Sequence, residues 1–299
     1  MELVRDEIRR RLPTDGAARR LLHGRGRAFA GFEDLTIDSY GTLALVILHQ
    51  PRPPQWLTEL AGLLKHEVPG TTTVLLQERF LPNAPSRVLV GELPAEVDAL
   101  EDGLRYRLRL GQGQNVGFFP DMAGGRRLVR EIAAGRDVLN LFAYTCGFSV
   151  AAVAGGARRV VNLDMNRGAL ELGRLNHRLN GLDPRRVGYL PHELFKSFGK
   201  LTRLGPFGLV ICDPPATQGE SFTAERHWPK LLRRLPELLV PGGEFLACRN
   251  GPGLAPGLIE RLVSLLLPTA ELLGMGRPGE DFPEVDPDQG ACLFHYRLR

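Results

Sequence analysis

The chain has 299 residues, of which 43% are hydrophobic and 24% charged, so it is long enough for two globular domains with sizeable cores. No run approaches the roughly 18 apolar residues of a membrane span, and the first residues lack the apolar segment of a secretory signal, so we expect neither feature. The net charge of +4 and the pI near 9.0 favour association with an anionic partner but do not define a fold.

In chain order, residues 1–111 predict a small α+β domain with a basic amino-terminal leader. Acidic and basic residues alternate at helical spacing over Glu2–Arg11, and a second helix with one apolar face spans Gln55–His66. The predicted strands are 35–40, 43–48, 72–76, 86–90 and 104–110.

Two basic features lie in this first part. Residues 1–27 hold eight arginines and four acidic residues, so they can follow a phosphate backbone or form a plain solvated helix, and both readings stay open. The strand at 104–110 alternates strictly and directs Arg105, Arg107 and Arg109 to one face. For this line of charge a solvated strand face is favoured over a nucleic-acid surface.

From Gly113 onwards strands alternate with helices, which predicts a parallel sheet with helices on both faces. We expect an α/β fold with a Rossmann-like, seven-stranded sheet, occupying residues 112–299 and preceded by the small domain. The predicted helices are 122–134, 166–180, 225–239 and 254–267. The strands are 138–142, 159–165, 207–212 and 244–248, with a closing pair at 269–273 and 291–298, one of them antiparallel.

Three of these strands end in residues that suit a ligand. The strand at 138–142 runs into a small-residue turn around Gly147, and the next ends in Asp164, which can accept both ribose hydroxyls of a nucleoside. Asp164 can alternatively cap the helix that follows, but the ribose role is favoured. The third strand ends in Asp213-Pro214-Pro215. The spacing therefore predicts one nucleoside crevice, although no Gly-x-Gly-x-x-Gly fingerprint is present.

These segments resemble a known family. Asn140-Leu-Phe-Ala-Tyr-Thr-Cys-Gly147, Val161-Asn-Leu-Asp-Met-Asn166 and Asp213-Pro-Pro215 are similar to three motifs of class I S-adenosylmethionine-dependent methyltransferases, in the large ribosomal subunit RNA methyltransferase I and K/L group. The lead-in Gly113-Gln-Asn-Val-Gly-Phe-Phe-Pro-Asp-Met122 also resembles that group. The likeness implies S-adenosylmethionine as cofactor and a base of RNA, in 23S ribosomal RNA, as substrate. The RNA-binding module that usually precedes the group's middle domain is expected to be absent.

The resemblance also implies roles for single residues. The segment Asn140–Gly147 would wrap the methionine end of the cofactor, with lead-in residues across it, and Asp164 would hold the ribose. Glu193 stands where the group usually has an aspartate that meets the adenine, so the match is weaker there. Asn115, Val116 and Met122 replace the group's Lys, Thr and Gln. The implied cofactor residues are Phe119, Asp121, Asn140, Phe142, Tyr144, Gly147, Asp164, Met165, Glu193 and Asp213.

Asp213, Pro214 and Pro215 are the candidate catalytic segment, because two fixed φ angles at a strand end can hold a planar base against the methyl donor. Downstream aromatic residues Phe222 and Trp228 can stack on a base, although a core role is favoured for both.

The target atom is tied to Cys248. Methylation of carbon-5 of cytosine needs a thiolate that first adds to the ring, whereas nitrogen-7 of guanine needs none, and the group contains both chemistries. The group's cytosine members carry Ser-Cys-Ser where this chain has Ala247-Cys248-Arg249. Packing of Cys248 in the sheet is favoured over the nucleophile, which remains an alternative.

The cysteines and histidines bear on redox state and metals. The four cysteines are widely spaced and mostly in apolar runs, which favours reduced thiols and a cytoplasmic location. The histidines are scattered and no metal-binding motif occurs, so no bound metal is expected.

Two rival functions stay open. One is methylation of a small molecule or protein, and the other is non-catalytic binding of a nucleoside or RNA. The sequence leaves the oligomeric state and the target nucleotide open.

Overall fold

The computed structural model describes residues 1–12, 16–215, 217–218, 222–249 and 255–299. They form two compact units. The first comprises Met1–Asp121 together with Gly279–Asp286, and the second comprises Met122–Pro278 together with Pro287–Arg299. The boundary between two domains that the sequence predicts after residue 111 stays a prediction.

The first unit is built on a five-stranded sheet in the order β1-β2-β3-β4-β5. All neighbours are antiparallel except β3 and β4, which are parallel and joined through a helix. The strands are β1 (Arg19–His23), β2 (Leu35–Tyr40), β3 (Leu43–Leu48), β4 (Thr73–Glu78) and β5 (Ser86–Val90), with a separate hairpin of β6 (Asp98–Glu101) and β7 (Leu104–Arg107); the helices are α1 (Glu2–Arg10) and α2 (Pro54–Glu67).

The basic leader is an integral part of this unit. Val4 and Ile8 of α1 and Leu21 and Leu22 of β1 are fully buried in one apolar cluster with the inner faces of β2 and α2. The leader's arginines make ion pairs inside the unit: Arg5 and Arg9 with Glu67, Arg10 and Arg11 with Glu7, Arg19 with Asp281, and Arg20 with Asp38. The amino-terminal segment is therefore anchored by burial and by local charge pairing.

The predicted strand at 104–110 is shorter than expected, since β7 ends at Arg107. It pairs with β6, which the sequence pattern did not reveal. Arg105 and Arg107 both reach Asp98 of that strand, at 2.7 and 2.5 Å. The line of positive charge is thus partly neutralised by its neighbour, which supports the solvated strand face.

The second unit contains the seven-stranded sheet, in the order β10-β9-β8-β11-β14-β16-β15. Only β16 is antiparallel to its neighbours β14 and β15. The predicted fold class is confirmed. The strands are β8 (Asp137–Leu141), β9 (Arg159–Leu163), β10 (Val187–Leu190), β11 (Phe207–Cys212), the short pair β12 (Thr217–Gln218) and β13 (Phe222–Thr223), β14 (Leu239–Arg249), β15 (Ala270–Gly276) and β16 (Cys292–Leu298).

Helices cover both faces of this sheet. Strand residues alternate between two apolar clusters, one shared with α3 and α4 and the other with α6, α7 and α8. Phe222 and Trp228 lie fully buried in the second cluster, as the favoured core reading expected. The helices are α3 (Ala123–Ile132), α4 (Gly147–Ala154), α5 (Arg167–Leu179), α6 (Phe198–Leu204), α7 (Ala224–Arg234) and α8 (Leu258–Leu266).

Some boundaries differ from the expected ones. The helix predicted at 225–239 ends at Arg234 and passes through a single 3-10 turn, because the following Leu239 already pairs with Phe207 of β11. Tertiary pairing therefore lengthens β14 at the expense of the helix.

All four cysteines are free and buried. Within the described residues, no helix combines the length and apolar character needed to cross a membrane.

Candidate functional site

The carboxyl ends of β8 and β9 meet at a strained loop. Phe142, Tyr144 and Cys146 all have positive φ, at 57°, 46° and 62°, although none is glycine. Such residues cost of order 1–3 kcal/mol each and persist only where their surroundings fix them. Here the Ala143 N–H donates to the Leu163 carbonyl at 3.0 Å, which ties the loop to the end of β9. Strain held in this way marks the loop as a candidate binding element.

Asp164 is the second anchor of that loop. Its Oδ2 accepts the Tyr144 N–H and its Oδ1 accepts the Asn166 N–H, each at 2.8 Å. The cap of α5 is Asn166, whose side chain accepts the Ala169 N–H at 3.0 Å, so Asp164 is not the capping residue. Burial raises the pKa of Asp164, and the two N–H donors oppose that rise. Each carboxylate oxygen keeps lone-pair capacity for a further donor such as a ribose hydroxyl.

A shallow cleft lies at these strand ends. It brings together four of the predicted cofactor residues, Phe142, Asp164, Met165 and Glu193, which come from three separate segments of the chain. The Met165 side chain is 45% exposed, an unusual degree for a thioether, and offers a flat apolar contact at the rim. The lining residues are Phe142, Leu163, Asp164, Met165, His192, Glu193, Leu194 and Phe195.

Glu193 is held by hydrogen bonds from the backbone that follows it. Its two carboxylate oxygens accept the N–H groups of Phe195 and Lys196, at 2.7 and 2.9 Å. These bonds hold the turn after β10 and orient the carboxylate at the cleft. The adenine role of Glu193 stays a prediction, and it would use the remaining lone pairs of an already fixed side chain.

A buried polar chain runs beneath the strained loop. The Asn140 amide donates to Asn162 at 2.9 Å, Asn162 donates to Ser149 at 3.0 Å, and Ser149 meets His177 Nε2 at 2.9 Å. The Asn140 Oδ1 is buried with no hydrogen-bond partner. Burial lowers the pKa of His177 to about 4, so the imidazole is neutral at physiological pH. In the sequence, this hydrogen-bonded series is marked only by an asparagine at the same position of two apolar strands. The motifs that predicted the cofactor site do not point to it.

Asp213-Pro214-Pro215 follows β11, which lies between β8 and β14 in the sheet. The segment is therefore next to the strained loop, as the prediction of a single crevice requires. Its roles toward substrate stay predictions.

Cys248 lies on β14 with its side chain only 1% exposed, inside the apolar cluster under α3 and α4. Burial, followed by the nearby Asp213 carboxylate, raises the pKa of the Cys248 thiol well above its usual value. The neighbouring Arg249 side chain donates to the Gly290 carbonyl at 3.4 Å. This geometry favours the packing role of Cys248 over the thiolate nucleophile.

Phe119 and Asp121 belong to the first unit, and the Phe119 ring is 43% exposed. Their proposed place across the methionine end of the cofactor stays a prediction.

Comparison with known proteins identifies the family of this sheet and crevice. Residues 19–297 match the family model described as S-adenosylmethionine-dependent methyltransferase. The chain belongs to this family. S-adenosylmethionine is accordingly the cofactor, as predicted, and the buried Asp164 carboxylate and the exposed Met165 thioether are groups that suit a nucleoside.

Three relatives show the extent of the similarity. The ribosomal RNA large subunit methyltransferase I of Aeromonas hydrophila is 31% identical over 59% of this chain and 46% of its own length. The protein of the same name from Klebsiella pneumoniae is 30% identical over 78% of this chain and 61% of its own. SMU.776, solved with SAH and described as a candidate methyltransferase, is 26% identical, covers 95% of this chain and 76% of its own, and has a TM-score of 0.84. The chain thus spans about half to three fifths of the curated relatives' length.

Proposed function

We propose that this chain transfers a methyl group from S-adenosylmethionine to a base of RNA, with 23S ribosomal RNA as the substrate and the cytoplasm as the location. The observation that carries the proposal is the adjacency of two strand ends. The strained loop after β8 and the Asp213-Pro214-Pro215 segment after β11 follow neighbouring parallel strands. A methyl donor held by the first would face a base held by the second.

In this arrangement the adenosine half of the cofactor occupies the cleft. Asp164 accepts the ribose hydroxyls, and the adenine lies between the Met165 thioether and the Phe195 ring with Glu193 at its edge. The bound cofactor supplies an electrophilic methyl group on a sulfonium. The protein's part is to hold that group and the base in line, which by itself can supply a large share of the rate.

RNA as the substrate is supported by the relatives, which are named as large-subunit ribosomal RNA methyltransferases. The target atom is not fixed by this support. Carbon-5 of cytosine remains the alternative if Cys248 acts as a nucleophile, and a ring nitrogen such as nitrogen-7 of guanine needs no thiolate.

The test is transfer of tritiated methyl groups from labelled cofactor into total RNA purified from a strain lacking the gene. We expect label in the 23S fraction, and little label in wild-type RNA, in which the position is already modified. Asp164→Ala should abolish most of the transfer, whereas Glu171→Gln, an exposed acid on α5, should not. Label in protein or small molecules, but not in RNA, would favour the first rival function.

Digestion of the labelled RNA to nucleosides, followed by mass spectrometry, separates 5-methylcytidine from methylated guanosines. If the chain binds the cofactor tightly but transfers no label into any fraction, the second rival, a non-catalytic nucleoside-binding protein, replaces the proposed function.

A further inference from the structure

Positive charge is concentrated on one pair of helices in the second unit. The segments 195–205 and 224–234, which contain α6 and α7, hold seven basic residues and one acidic residue, a net charge of +6. The whole chain carries +4, so the remainder of the chain is net −2. Three of the chain's four lysines, Lys196, Lys200 and Lys230, also lie in these segments. In charge, α6 and α7 therefore differ sharply from the rest of the protein.

Aromatic contacts hold these two helices side by side. Both contribute buried side chains to the same apolar cluster on one face of the sheet. The Lys230 Nζ lies 5.9 Å from the centroid of the Phe195 ring, and the Arg234 guanidinium carbon lies 4.7 Å from that of Phe198. The Phe195 and His227 ring centroids are 5.1 Å apart. The cations of the two helices are thus brought together on one side of the sheet.

Six of the seven cations are exposed to solvent and have no carboxylate partner. Only Arg234 forms an ion pair with a residue that the structure describes, at 2.7 Å from Glu237. In the amino-terminal leader, by contrast, six of the eight arginines are paired with carboxylates of the first unit. A cation without such a partner can neutralise a phosphate without giving up an existing ion pair. We call these six residues the α6–α7 surface: Lys196, Lys200, Arg203, Arg226, Lys230 and Arg233.

The α6–α7 surface extends to the cofactor cleft. Along α7, Arg226, Lys230 and Arg233 are four and three residues apart, so they lie on one face of the helix. Beside α7, the Lys200 Nζ lies 3.3 Å from Nε2 of His192, which lines the cleft. A polyanion that follows this surface would therefore pass next to the bound methyl donor.

The side chains of this surface suit a phosphate backbone better than a protein or a membrane. Among the residues that the structure describes, no large apolar side chain between 195 and 234 is exposed. Protein interfaces have an apolar centre, and helices that bind membranes insert an exposed apolar face. Lysine, in contrast, binds phosphate as a compact point charge.

We propose that the α6–α7 surface binds the phosphate backbone of the substrate RNA and holds the strand next to the cofactor cleft. The inference rests on the RNA part of the proposed function. Contacts with phosphates position a protein on a nucleic acid but do not read its sequence. The surface would therefore supply affinity and orientation, and other residues would select the target base.

The test is a triple variant with Lys196→Gln, Arg203→Gln and Arg226→Gln. None of these side chains forms a hydrogen bond or an ion pair with a described residue, so the fold and the cleft should be retained. Binding to 23S RNA purified from a strain lacking the gene is measured across a salt series. The slope of log affinity against log salt should become shallower by roughly 2 to 3, since each phosphate contributes about 0.7 to 0.9.

Kinetics and cofactor binding provide two further measurements on the same variant. At low salt the KM for RNA should rise roughly 10-fold or more, because phosphate contacts are lost, while kcat at saturating RNA changes little. The affinity for S-adenosylmethionine, measured by calorimetry, should change less than about threefold. A purely structural defect would instead lower kcat and cofactor affinity together.

The matched control replaces Arg158, Arg185 and Arg299 by glutamine. These arginines of the second unit are also exposed, but each is paired with a carboxylate. The control changes the net charge by the same amount as the test variant and should leave the salt slope nearly unchanged. Equal changes in both triple variants would mean that only net charge matters and would overturn the inference.

The remaining outcomes separate the inference from the proposed function. An unchanged slope and KM, with RNA methylated by the wild-type chain, would overturn the inference alone. So would loss of binding to polyglutamate or to phosphatidylserine vesicles while RNA binding is intact. A wild-type chain that neither binds nor methylates RNA would overturn the proposed function and the inference together. If circular dichroism shows that the triple variant does not fold, Arg226→Gln alone should change the slope by roughly 0.7 to 0.9, and an unchanged slope would overturn the inference.

Discussion

The Asp164 carboxylate accepts the Tyr144 backbone N–H at 2.8 Å, which joins the acid at the end of β9 to the strained loop after β8. The same carboxylate accepts the Asn166 N–H at the start of α5. One side chain thus orders the loop proposed for the methionine end, holds the backbone of the residue that caps α5, and lines the cleft. Substitutions at Asp164 are therefore expected to affect binding and folding together.

Asp164→Ala should weaken binding of S-adenosylmethionine by roughly 1–3 kcal/mol, because two ribose hydroxyls lose their acceptor. The loss of two N–H bonds should also lower the free energy of unfolding by a similar amount. Calorimetry and thermal melting on the same preparation separate the two effects. Unchanged cofactor affinity in a folded Asp164→Ala protein would refute the ribose assignment.

Cofactor affinity should also depend on pH through Asp164. Because burial raises the pKa of Asp164, the carboxylate takes up a proton at a higher pH than an exposed aspartate does. Only the ionised form accepts from both hydroxyls, so affinity should fall as the pH falls through this raised pKa. The Asp164→Ala protein should show a weaker fall, and parallel curves for the two proteins would contradict the prediction.

His177 should make the protein less stable as the pH falls, because it is buried in its neutral form. Its pKa is lowered from 6.5 to about 4 by burial, so the unfolded chain binds the proton first as the pH drops. Stability should therefore decline between pH 6.5 and about 4, by up to about 3 kcal/mol from this group. Chemical unfolding across this range should show a smaller decline for His177→Gln. His23 and His49 also have lowered pKa values, so the difference between the two proteins is the quantity to compare.

Cys248→Ser tests the target atom. Since the thiol is buried in the apolar cluster and its pKa is raised, we expect a cost of about 1 kcal/mol of stability and methylation that is largely intact. Methylation is measured by transfer of the tritiated methyl group, and stability by denaturant unfolding. Complete loss of turnover with retained cofactor binding, together with a covalent adduct on 5-fluorocytosine-substituted RNA, would instead establish Cys248 as a nucleophile.

The leader's exposed arginines can be tested without truncation. Deletion of residues 1–24 would remove four fully buried aliphatic side chains, worth roughly 6–12 kcal/mol in all, and should unfold the first unit. Joint replacement of Arg5 and Arg10, whose side chains are 46% and 69% exposed, by glutamine leaves that core intact.

If α1 follows a phosphate backbone, the Arg5→Gln, Arg10→Gln protein should show a shallower slope of log affinity against log salt. The slope should change by roughly 0.7 to 0.9 for each phosphate that the protein no longer neutralises. Filter binding across a salt series measures this slope, with cofactor affinity unchanged. Arg185→Gln, an 89% exposed arginine of the second unit, is the control. An unaltered slope would mean that α1 is only a solvated helix.

Local sequence determined most of the second unit. The apolar runs that became β8, β9 and β11, with the turn, the acid and the Asp-Pro-Pro segment at their ends, predicted a parallel sheet and one crevice. These features are readable because a buried parallel strand is a short apolar run and because parallel strands place their carboxyl ends at one edge.

Tertiary structure decided what no local pattern encodes. The positive φ angles at Phe142, Tyr144 and Cys146 exist because Asp164 and Leu163 fix the loop from another strand. The burial of the leader depends on α2, which contributes to the same apolar cluster. The strained loop and the buried leader are both held by residues that are distant in the sequence. The contacts that stabilise them therefore form only when the whole unit folds.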